Sequence, residues 1–398
     1  MVQKFEIPEE FRSELRYVQP HDNRTDAEII QVLTSPKPIT SERNLWGFWH
    51  SGVESMPGWC QRNVASWVRL CGPTWNIRIL DMVEGSANNA LKWVDPSLLP
   101  EAFVNKTMDG PWVGPHSADM LRGAVLYTYG GAWMDVGCVM IRPLHRIFWQ
   151  QLEDPSLPYE ICVPWLFDSM MANHFVAARK GNKFIKAWHD LFLHFWKGRR
   201  NIEGIGHEPL IKFCETMGMG GYAKAGFIWD MKVDGFTLNQ YASQVLAWWR
   251  LCIIDGGDHE GEFDYADYAE THIFWIRGFK EMYGAQVVVG FEGQDLFDAF
   301  STRLDADPES EEYQKAYKVV WGLLTKCCWQ KVSHAKELTT RPDLGLLWSM
   351  NDKTDAAPGT FAELLRYGAE NFQQVREEVL TKDWKKSDFV MHKGLYEV

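Results

Sequence analysis

The sequence predicts an α/β fold in which flanking helices surround a Rossmann-like mixed sheet and a helical C-terminal region follows. Short apolar runs alternate with helical patterns from Asn44 onward, an order typical of the opening of such a sheet. From about residue 311 the pattern is mainly helical. We therefore predict an N-terminal arm over residues 1–43, an α/β domain over residues 44–300, and a helical region over residues 301–398 packed on that domain.

The first strand, helix and strand of this domain follow one another closely. The apolar run Leu45–His50 predicts a buried strand, and Asn76–Asp81 predicts a second one. Between them, apolar residues at helical spacing form one face of a helix that Gly72 and Pro73 end. The residues on that face are Cys60, Val64, Trp67, Val68 and Cys71.

The segment 107–147 is the densest in signals. Ser117 is predicted to cap a helix that has Asp119 in its first turn and ends at Gly130-Gly131. Ala132–Ile141 then predicts a strand with Asp135 in the middle of its apolar run. A lone charge is seldom buried in a sheet unless it binds or pairs with something, so Asp135 is a candidate site residue.

The later elements are predicted in less detail. Residues 174–198 indicate a strand, a turn and an amphipathic helix, and residues 222–300 indicate short strands mixed with acidic loops. Pro358 is predicted to lie in the first turn of a further helix.

Composition limits the function classes. The chain has 41 Lys and Arg against 53 Asp and Glu, which gives a net charge of −12. This balance argues against sequence-independent binding of duplex DNA, because such binding depends on neutralising phosphates. The 20 tryptophans predict a large core and an aromatic-lined cleft.

Targeting signals are also missing from the sequence. The first residues lack the apolar segment of a signal peptide, and there is no run of about 18 apolar residues. The eight cysteines form no C-x-x-C motif. We expect a protein without a membrane span in a cytoplasmic, reducing location.

One motif resembles a known family. The pattern S-A-D-x-x-R-x-x-x-L-x-x-x-G-G-x-W-x-D, followed by V-G-C-V-x-x-x-P-L, covers residues 117–144. It resembles the DXD-class glycosyltransferases of the capsular-polysaccharide-synthesis type, and W-G-F-W-H-(x)6-P-G-W-C upstream is similar to the start of that domain. The resemblance covers about residues 44–290 and implies a glycosyltransferase-A type fold with a nucleotide-binding catalytic domain.

The resemblance also implies roles for particular residues. Asp119 and Arg122, on one helix face, would hold the base and ribose of the nucleotide. Asp135 would contact the donor ribose or a divalent metal that bridges the diphosphate. We add Ser117 to the donor-binding set and place Trp112 in the cleft.

The motif departs from the family pattern at its second carboxylate, where this chain has Gly137. A single carboxylate is a poor site for Mg²⁺ or Mn²⁺, which weakens the implied metal requirement. Either another residue completes the site with Asp135, or a cation replaces the metal. The candidates for the ligand are His272, Asp264 and Asp267, and those for the cation are Arg142 and Lys180.

Three residues are candidates for the catalytic groups: Asp135, His116 and Asp109. His116 and Asp109 are each compatible with a general base or with packing of their loop. The sequence does not choose between these two interpretations.

Two functions from different classes follow. The first is transfer of a group from a sugar nucleotide to a soluble small-molecule acceptor, such as a specialised metabolite. The second resembles the fungal arginine-containing cyclodipeptide synthases, which use aminoacyl-tRNA for peptide-bond formation in secondary metabolism. There Asp119 and Arg122 would hold the terminal adenosine and His116 would deprotonate the amine. An acidic pocket of Asp109, Asp135 or Glu208 would bind the arginine, and the tRNA would follow basic residues at Lys197, Arg199, Arg200, Lys385 and Lys386.

Overall fold

A computed structural model describes residues 3–167, 169–213, 230–257, 263–333 and 337–398. Its strands are β1 (Leu15–Tyr17), β2 (Asn44–Phe48), β3 (Asn76–Leu80), β4 (Gly131–Met134), β5 (Cys138–Met140), β6 (Ile161–Leu166), β7 (Met170–Met171), β8 (Phe175–Ala178), β9 (Ile273–Arg277), β10 (Trp329–Lys331) and β11 (Phe372–Gln374). The α-helices are α1 (Asp26–Leu33), α2 (Gly58–Cys71), α3 (Glu101–Val104), α4 (Val113–Tyr129), α5 (Gln150–Glu153), α6 (Lys183–Trp196), α7 (Gly235–Tyr241), α8 (Ser243–Leu251), α9 (Tyr265–Thr271), α10 (Gly278–Glu281), α11 (Gly284–Val289), α12 (Gly293–Ser301), α13 (Glu311–Lys326), α14 (Leu344–Met350) and α15 (Phe361–Asn371).

The main sheet is mixed, as predicted. Within the described ranges it has seven strands, in the order β3-β2-β4-β8-β6-β7 with β9 also paired to β6. Strand β2 is parallel to β3 and β4, whereas β8 is antiparallel to β4 and β6. The predicted unit of β2, α2 and β3 is confirmed, and α2 ends at Gly72.

The two faces of the sheet are buried by different helices. Trp46 and Trp133 lie in the cluster that includes residues of α4 and α6, and Ala132 and Met134 lie in the cluster that includes α2 and α13. The predicted large core is confirmed, because eight tryptophans are almost fully buried: Trp46, Trp67, Trp133, Trp149, Trp188, Trp196, Trp248 and Trp329.

Asp135 lies in a break between two strands, so the prediction of one strand over Ala132–Ile141 is wrong. Strand β4 ends at Met134, and β5 leaves the main sheet and pairs antiparallel with β10, with Met140 opposite Trp329. The backbone N–H of Asp135 donates to the carbonyl of His174 at 2.9 Å, which continues the β4–β8 pairing up to the break. The apolar run over Ala132–Ile141 is therefore divided into two strands, because its second part pairs with β10, which is remote in sequence.

The helix within the segment 107–147 also begins earlier than predicted. Helix α4 starts at Val113, and Ser117 is not its cap but donates its hydroxyl hydrogen to the carbonyl of Val113 at 2.7 Å. Pro115 fits the first turn, where its missing N–H needs no partner. The predicted end at Gly130-Gly131 is confirmed.

Two predictions for the C-terminal half are corrected. The described part of residues 222–300 is mainly helical, with β9 as its strand; residues 222–229 and 258–262 lie outside the described residues. Pro358 precedes its helix, because α15 begins at Phe361 with Thr360 as its cap. The predicted β8 and α6 are confirmed, with Asn182 capping α6.

The chain ends reach back to the main body of the fold. Strand β1 of the N-terminal arm pairs antiparallel with β11, with Leu15 opposite Gln374. Strand β10 comes from the predicted C-terminal region and lies against β5, next to Asp135. Across the described ranges, no helix is both long enough and apolar enough to cross a bilayer.

Candidate active site

The residues of the dense motif meet at one edge of the sheet. Helix α4 runs back along β4 because the chain reverses at Gly130-Gly131, where a Cβ on Gly131 would lie 2.2 Å from the carbonyl oxygen of Asn44. The first half of α4 therefore lies beside the carboxyl end of β4. Open α/β sheets bind ligands at this edge.

Arg122 joins the two carboxylates of the motif. Its Nη1 atom lies 2.5 Å from Asp119 Oδ1 and its Nη2 atom lies 3.2 Å from Asp135 Oδ1. Its guanidinium carbon is 5.2 Å from the centre of the Trp133 ring. Arg122 is 2% exposed, so its charge is balanced by these two acids within the protein.

Asp135 has a second cationic partner that sequence reasoning missed. Lys331 Nζ lies 3.1 Å from Asp135 Oδ2, and Trp133 Nε1 donates to Oδ1 at 3.0 Å. Burial opposes ionisation, but Lys331 and Arg122 outweigh it and hold the pKa of Asp135 well below its ordinary value. Asp135 in turn raises the pKa of Lys331 against the lowering effect of burial. The Asp135 side chain is 29% exposed, so it is both charged and accessible.

Asp119 connects this cluster to a histidine. His116 Nδ1 lies 3.1 Å from Asp119 Oδ2, and Asn173 Nδ2 donates to Asp119 Oδ1 at 3.1 Å. Gln244 accepts from Arg122 and donates to the Asp119 carbonyl at 2.6 Å. His116 is 2% exposed, and its buried Nε2 atom has no hydrogen-bond partner among the described residues. Asn173 and Gln244 were not predicted, since isolated amides outside a motif give no sequence signal.

A partly open pocket lies beside His116, and its empty space, including the part open to solvent, is about 360 Å³. Trp112 and Asp109 line it together with Trp196 and Asn201. Asp109 is 45% exposed and pairs with Arg200 at 3.2 Å, and Asn201 donates to it at 2.6 Å. The structure thus brings Trp112, Asp109 and His116 to one pocket, and their roles stay predictions. Ser117 is 2% exposed and its hydroxyl donates within α4, and its role in donor binding stays a prediction.

The predicted partners for a metal at Asp135 lie elsewhere. His272 immediately precedes β9, whose first residue, Ile273, pairs with Ile161 of β6. Ile161 also pairs with Ala178 of β8, and Ala178 pairs with Gly131, the first residue of β4. That is the amino end of β4, whereas Asp135 follows its carboxyl end. The His272 ring stacks on Tyr268, with centres 4.5 Å apart. His272 therefore does not complete a site with Asp135.

The other two candidate ligands belong to the same distant edge. Asp264 caps α9, the helix that leads to His272, and Asp267 pairs with Lys386 at 3.2 Å. Within the described ranges, no three His, Cys, Asp or Glu residues are grouped so as to hold a metal.

The predicted replacement cations are also not at Asp135. Arg142 is 1% exposed and donates to the carbonyls of Arg146 and Arg376 at 2.9 and 3.0 Å. Lys180 follows β8 at the edge near Gly130, where its backbone N–H donates to Glu42. Besides Arg122, the cation that does lie at Asp135 is Lys331, which is 196 positions away in the chain.

Comparisons with known proteins agree with the motif. The family model described as capsular polysaccharide synthesis protein matches residues 15–204. The probable glycosyltransferase FCK3 of Fusarium pseudograminearum is 47% identical, over 99% of this chain and 100% of its own length. The O-glycosyltransferase braB of Annulohypoxylon truncatum is 35% identical over 94% of this chain and 91% of its own. The glycosyltransferase afumC of Aspergillus fumigatus is 34% identical over 89% and 92%.

Proposed function

Because the chain belongs to the family of capsular-polysaccharide-synthesis-type glycosyltransferases found in fungi, and is therefore a transferase, we propose that it moves a sugar from a nucleotide donor to a hydroxyl group of a small-molecule acceptor. The observation that carries this proposal is the Asp119–Arg122–Asp135 cluster at the carboxyl end of β4. The name O-glycosyltransferase of one relative supports an oxygen atom as the acceptor.

On the donor side, the members of the cluster differ in exposure and so in role. Asp135 is 29% exposed and is the carboxylate that can accept from the donor. Arg122 is buried and holds Asp119 and Asp135 at fixed positions, which makes it a positioning residue. Fixed charges cost no reorganisation when the donor binds, which favours catalysis.

On the acceptor side, we infer that His116 takes the proton. The Asp119 carboxylate accepts the Nδ1 hydrogen, which leaves the lone pair of Nε2 for a base. In the reaction, the acceptor oxygen bonds to the anomeric carbon, the bond from that carbon to the diphosphate breaks, and the hydroxyl proton moves to His116 Nε2. The pocket lined by Trp112 and His116 is the acceptor site in this proposal.

Donor binding is tested by calorimetric titration of UDP- and GDP-sugars, with Mn²⁺ or with EDTA. One of them is expected to bind, and Asp135→Asn is expected to weaken it by at least about tenfold, since hydrogen bonds to a charged group contribute about 1.5–3 kcal/mol. Asp305→Asn is the matched control, because Asp305 is 74% exposed in a surface pair. Failure of every donor to bind and to be consumed would overturn the proposal.

The role of His116 is tested by steady-state kinetics. His116→Gln is expected to lower kcat by about 100-fold or more while donor affinity is kept, because general-base catalysis contributes about 10²–10⁴-fold. The exposed His194→Gln is the control. An unchanged kcat in His116→Gln would assign this residue to packing.

The aminoacyl-tRNA alternative is not favoured. The relatives are named glycosyltransferases, and each acid proposed for the arginine pocket already has a cation of its own. Glu208 pairs with Arg199 at 2.7 Å, and Asp109 pairs with Arg200. Four of the five basic residues proposed for the tRNA track are likewise paired with acids, as Lys385 is with Glu270 at 3.4 Å.

We also propose a reducing, cytoplasmic location. The seven described cysteines are all free and buried, which supports a compartment in which thiols stay reduced. Imaging of a fluorescent fusion in a fungal cell tests this, and fluorescence confined to the secretory pathway would refute it.

A further inference from the structure

The position of the second carboxylate that the family motif implies is crowded in this chain. A Cβ on Gly137 would lie 2.0 Å from Ser333 Oγ and 3.2 Å from Ser333 Cβ. The same Cβ would lie 3.6 Å from Lys331 Nζ. The space in which a carboxylate at position 137 would project is therefore filled by two residues from β10 and the segment that follows it.

The backbone fixes Lys331 in this place. Strand β10 pairs with β5 so that Lys331 is opposite Cys138, and the backbone N–H of Val332 donates to the carbonyl of Gly137 at 3.0 Å. The backbone N–H of Lys331 donates to the carbonyl of Met282 at 3.1 Å. Lys331 is 7% exposed, so few other rotamers are open to its side chain.

The charges at Asp135 are balanced without a metal. Arg122 lies on one oxygen of Asp135 and Lys331 on the other, so each oxygen that a metal would use already has a cation beside it. Two acids, Asp119 and Asp135, are matched by these two cations. A divalent ion at the same oxygens would meet both cations at close range, and the described residues offer it no set of three ligands. The described residues at this site therefore do not fit a divalent metal.

We propose that the ammonium group of Lys331, held between Asp135 and Gly137, takes the place of the divalent metal, so that this chain binds the diphosphate of its donor without a metal ion. The inference rests on the proposed function. An ammonium group has three N–H donors, and Asp135 accepts one of them. A diphosphate oxygen can accept another. When the bond to the anomeric carbon breaks, the electron pair stays on the leaving diphosphate oxygen, and the Lys331 charge stabilises it.

The first test titrates UDP and GDP, as probes of the diphosphate site, into the full-length protein in EDTA or in Mn²⁺. At least one is expected to bind, with a Kd that differs by less than about threefold between the two conditions. In parallel, Mn²⁺ alone is titrated and followed by electron paramagnetic resonance. We expect no Mn²⁺ site with a Kd below about 1 mM, because a Kd above this value corresponds to weak binding.

The second test removes the charge with Lys331→Met. The Kd of the bound nucleoside diphosphate is expected to rise by at least about tenfold, whereas the Kd of the corresponding nucleoside stays the same. Lys331→Arg, which keeps the charge, is expected to recover part of the affinity. Lys326→Met is the matched control, because Lys326 is an exposed residue at the end of α13. Thermal unfolding of each variant separates a lost contact from a lost fold.

The outcomes distinguish this inference from the proposed function. Nucleotide binding that Mn²⁺ strengthens by more than tenfold, or a saturable Mn²⁺ site, would overturn the role of Lys331 and leave the glycosyltransferase proposal intact. Unchanged diphosphate affinity in a folded Lys331→Met would do the same. If neither nucleotide binds in either condition, the proposed function itself fails.

Discussion

Replacing Arg122 by methionine removes the cation that joins the two acids of the site. The change keeps an unbranched side chain of similar length in α4 but leaves Asp119 and Asp135 without their shared partner. Removing one partner from a buried ion pair typically costs about 3–5 kcal/mol. Other contacts remain: Lys331 stays on Asp135 and His116 stays on Asp119. We therefore expect a loss of unfolding free energy at the lower end, about 3 kcal/mol.

The loss should depend on pH in a defined direction. The pKa of Asp135 is lowered in the folded state, where the attraction of Lys331 and Arg122 exceeds the opposing effect of burial. Stability from such a group is present above the ordinary carboxyl pKa of about 3.9 and is lost as the pH falls below it. Arg122→Met reduces this contribution. The difference in unfolding free energy between wild type and Arg122→Met should therefore be largest near neutral pH and should become smaller below about pH 4.

Urea unfolding followed by tryptophan fluorescence at several pH values measures this difference. Arg122→Lys keeps a charge without the planar fork and should fall between wild type and Arg122→Met. Arg303→Met is the control, because Arg303 is 54% exposed in its pair with Asp305 and should leave the midpoint unchanged. A variant Arg122→Met that unfolds at the wild-type midpoint, or a difference that stays constant between pH 7 and pH 3, would refute the reasoning.

Three further predictions concern the packing around the site. Gly137→Ala should destabilise the fold by about 1 kcal/mol through contact with Ser333, and Ser333→Ala in the same chain should restore most of it, as measured by urea unfolding. Gly123→Ala should cost about 2 kcal/mol in the same assay, because its Cβ would lie 2.7 Å from His189 Nδ1 and would push α4 away from α6. Burial lowers the pKa of His189 from 6.5 to about 4, so between these pH values the unfolded chain binds a proton that the folded chain does not. The free energy of unfolding should therefore fall by about 3 kcal/mol from pH 6.5 to pH 4. His189→Gln should make the free energy of unfolding less dependent on pH in this range.

Matched variants test these effects. Gly114→Ala lies in the same helix as Gly123, but its Cβ would meet nothing within 4 Å, so it should be close to neutral. Equal losses in Gly114→Ala and Gly123→Ala would mean that the contact with His189 is not the cause. Additive effects of Gly137→Ala and Ser333→Ala, or an unchanged pH slope in His189→Gln, would contradict the other two predictions.

Local patterns were sufficient for the first strand, helix and strand of the main sheet. The strand, helix and strand up to Leu80 depend on short-range periodicity and on Gly72, and these signals lie within the elements themselves. The break at Asp135 was not predictable in this way. It depends on β10, which approaches β5 from about 190 residues away, and an apolar run by itself does not show which partner it pairs with.

The amino-acid sequence by itself determined the family, the mixed sheet and the helix that carries Asp119 and Arg122, because residues three apart on a helix share a face whatever surrounds them. It also showed that a carboxylate is missing at Gly137. Only the tertiary structure decided what stands in its place. Lys331 supplies the second cation at Asp135, beside Arg122. Asp135 and Lys331 are remote along the chain, so they meet only because β5 and β10 pair, and each charge offsets the cost of burying the other.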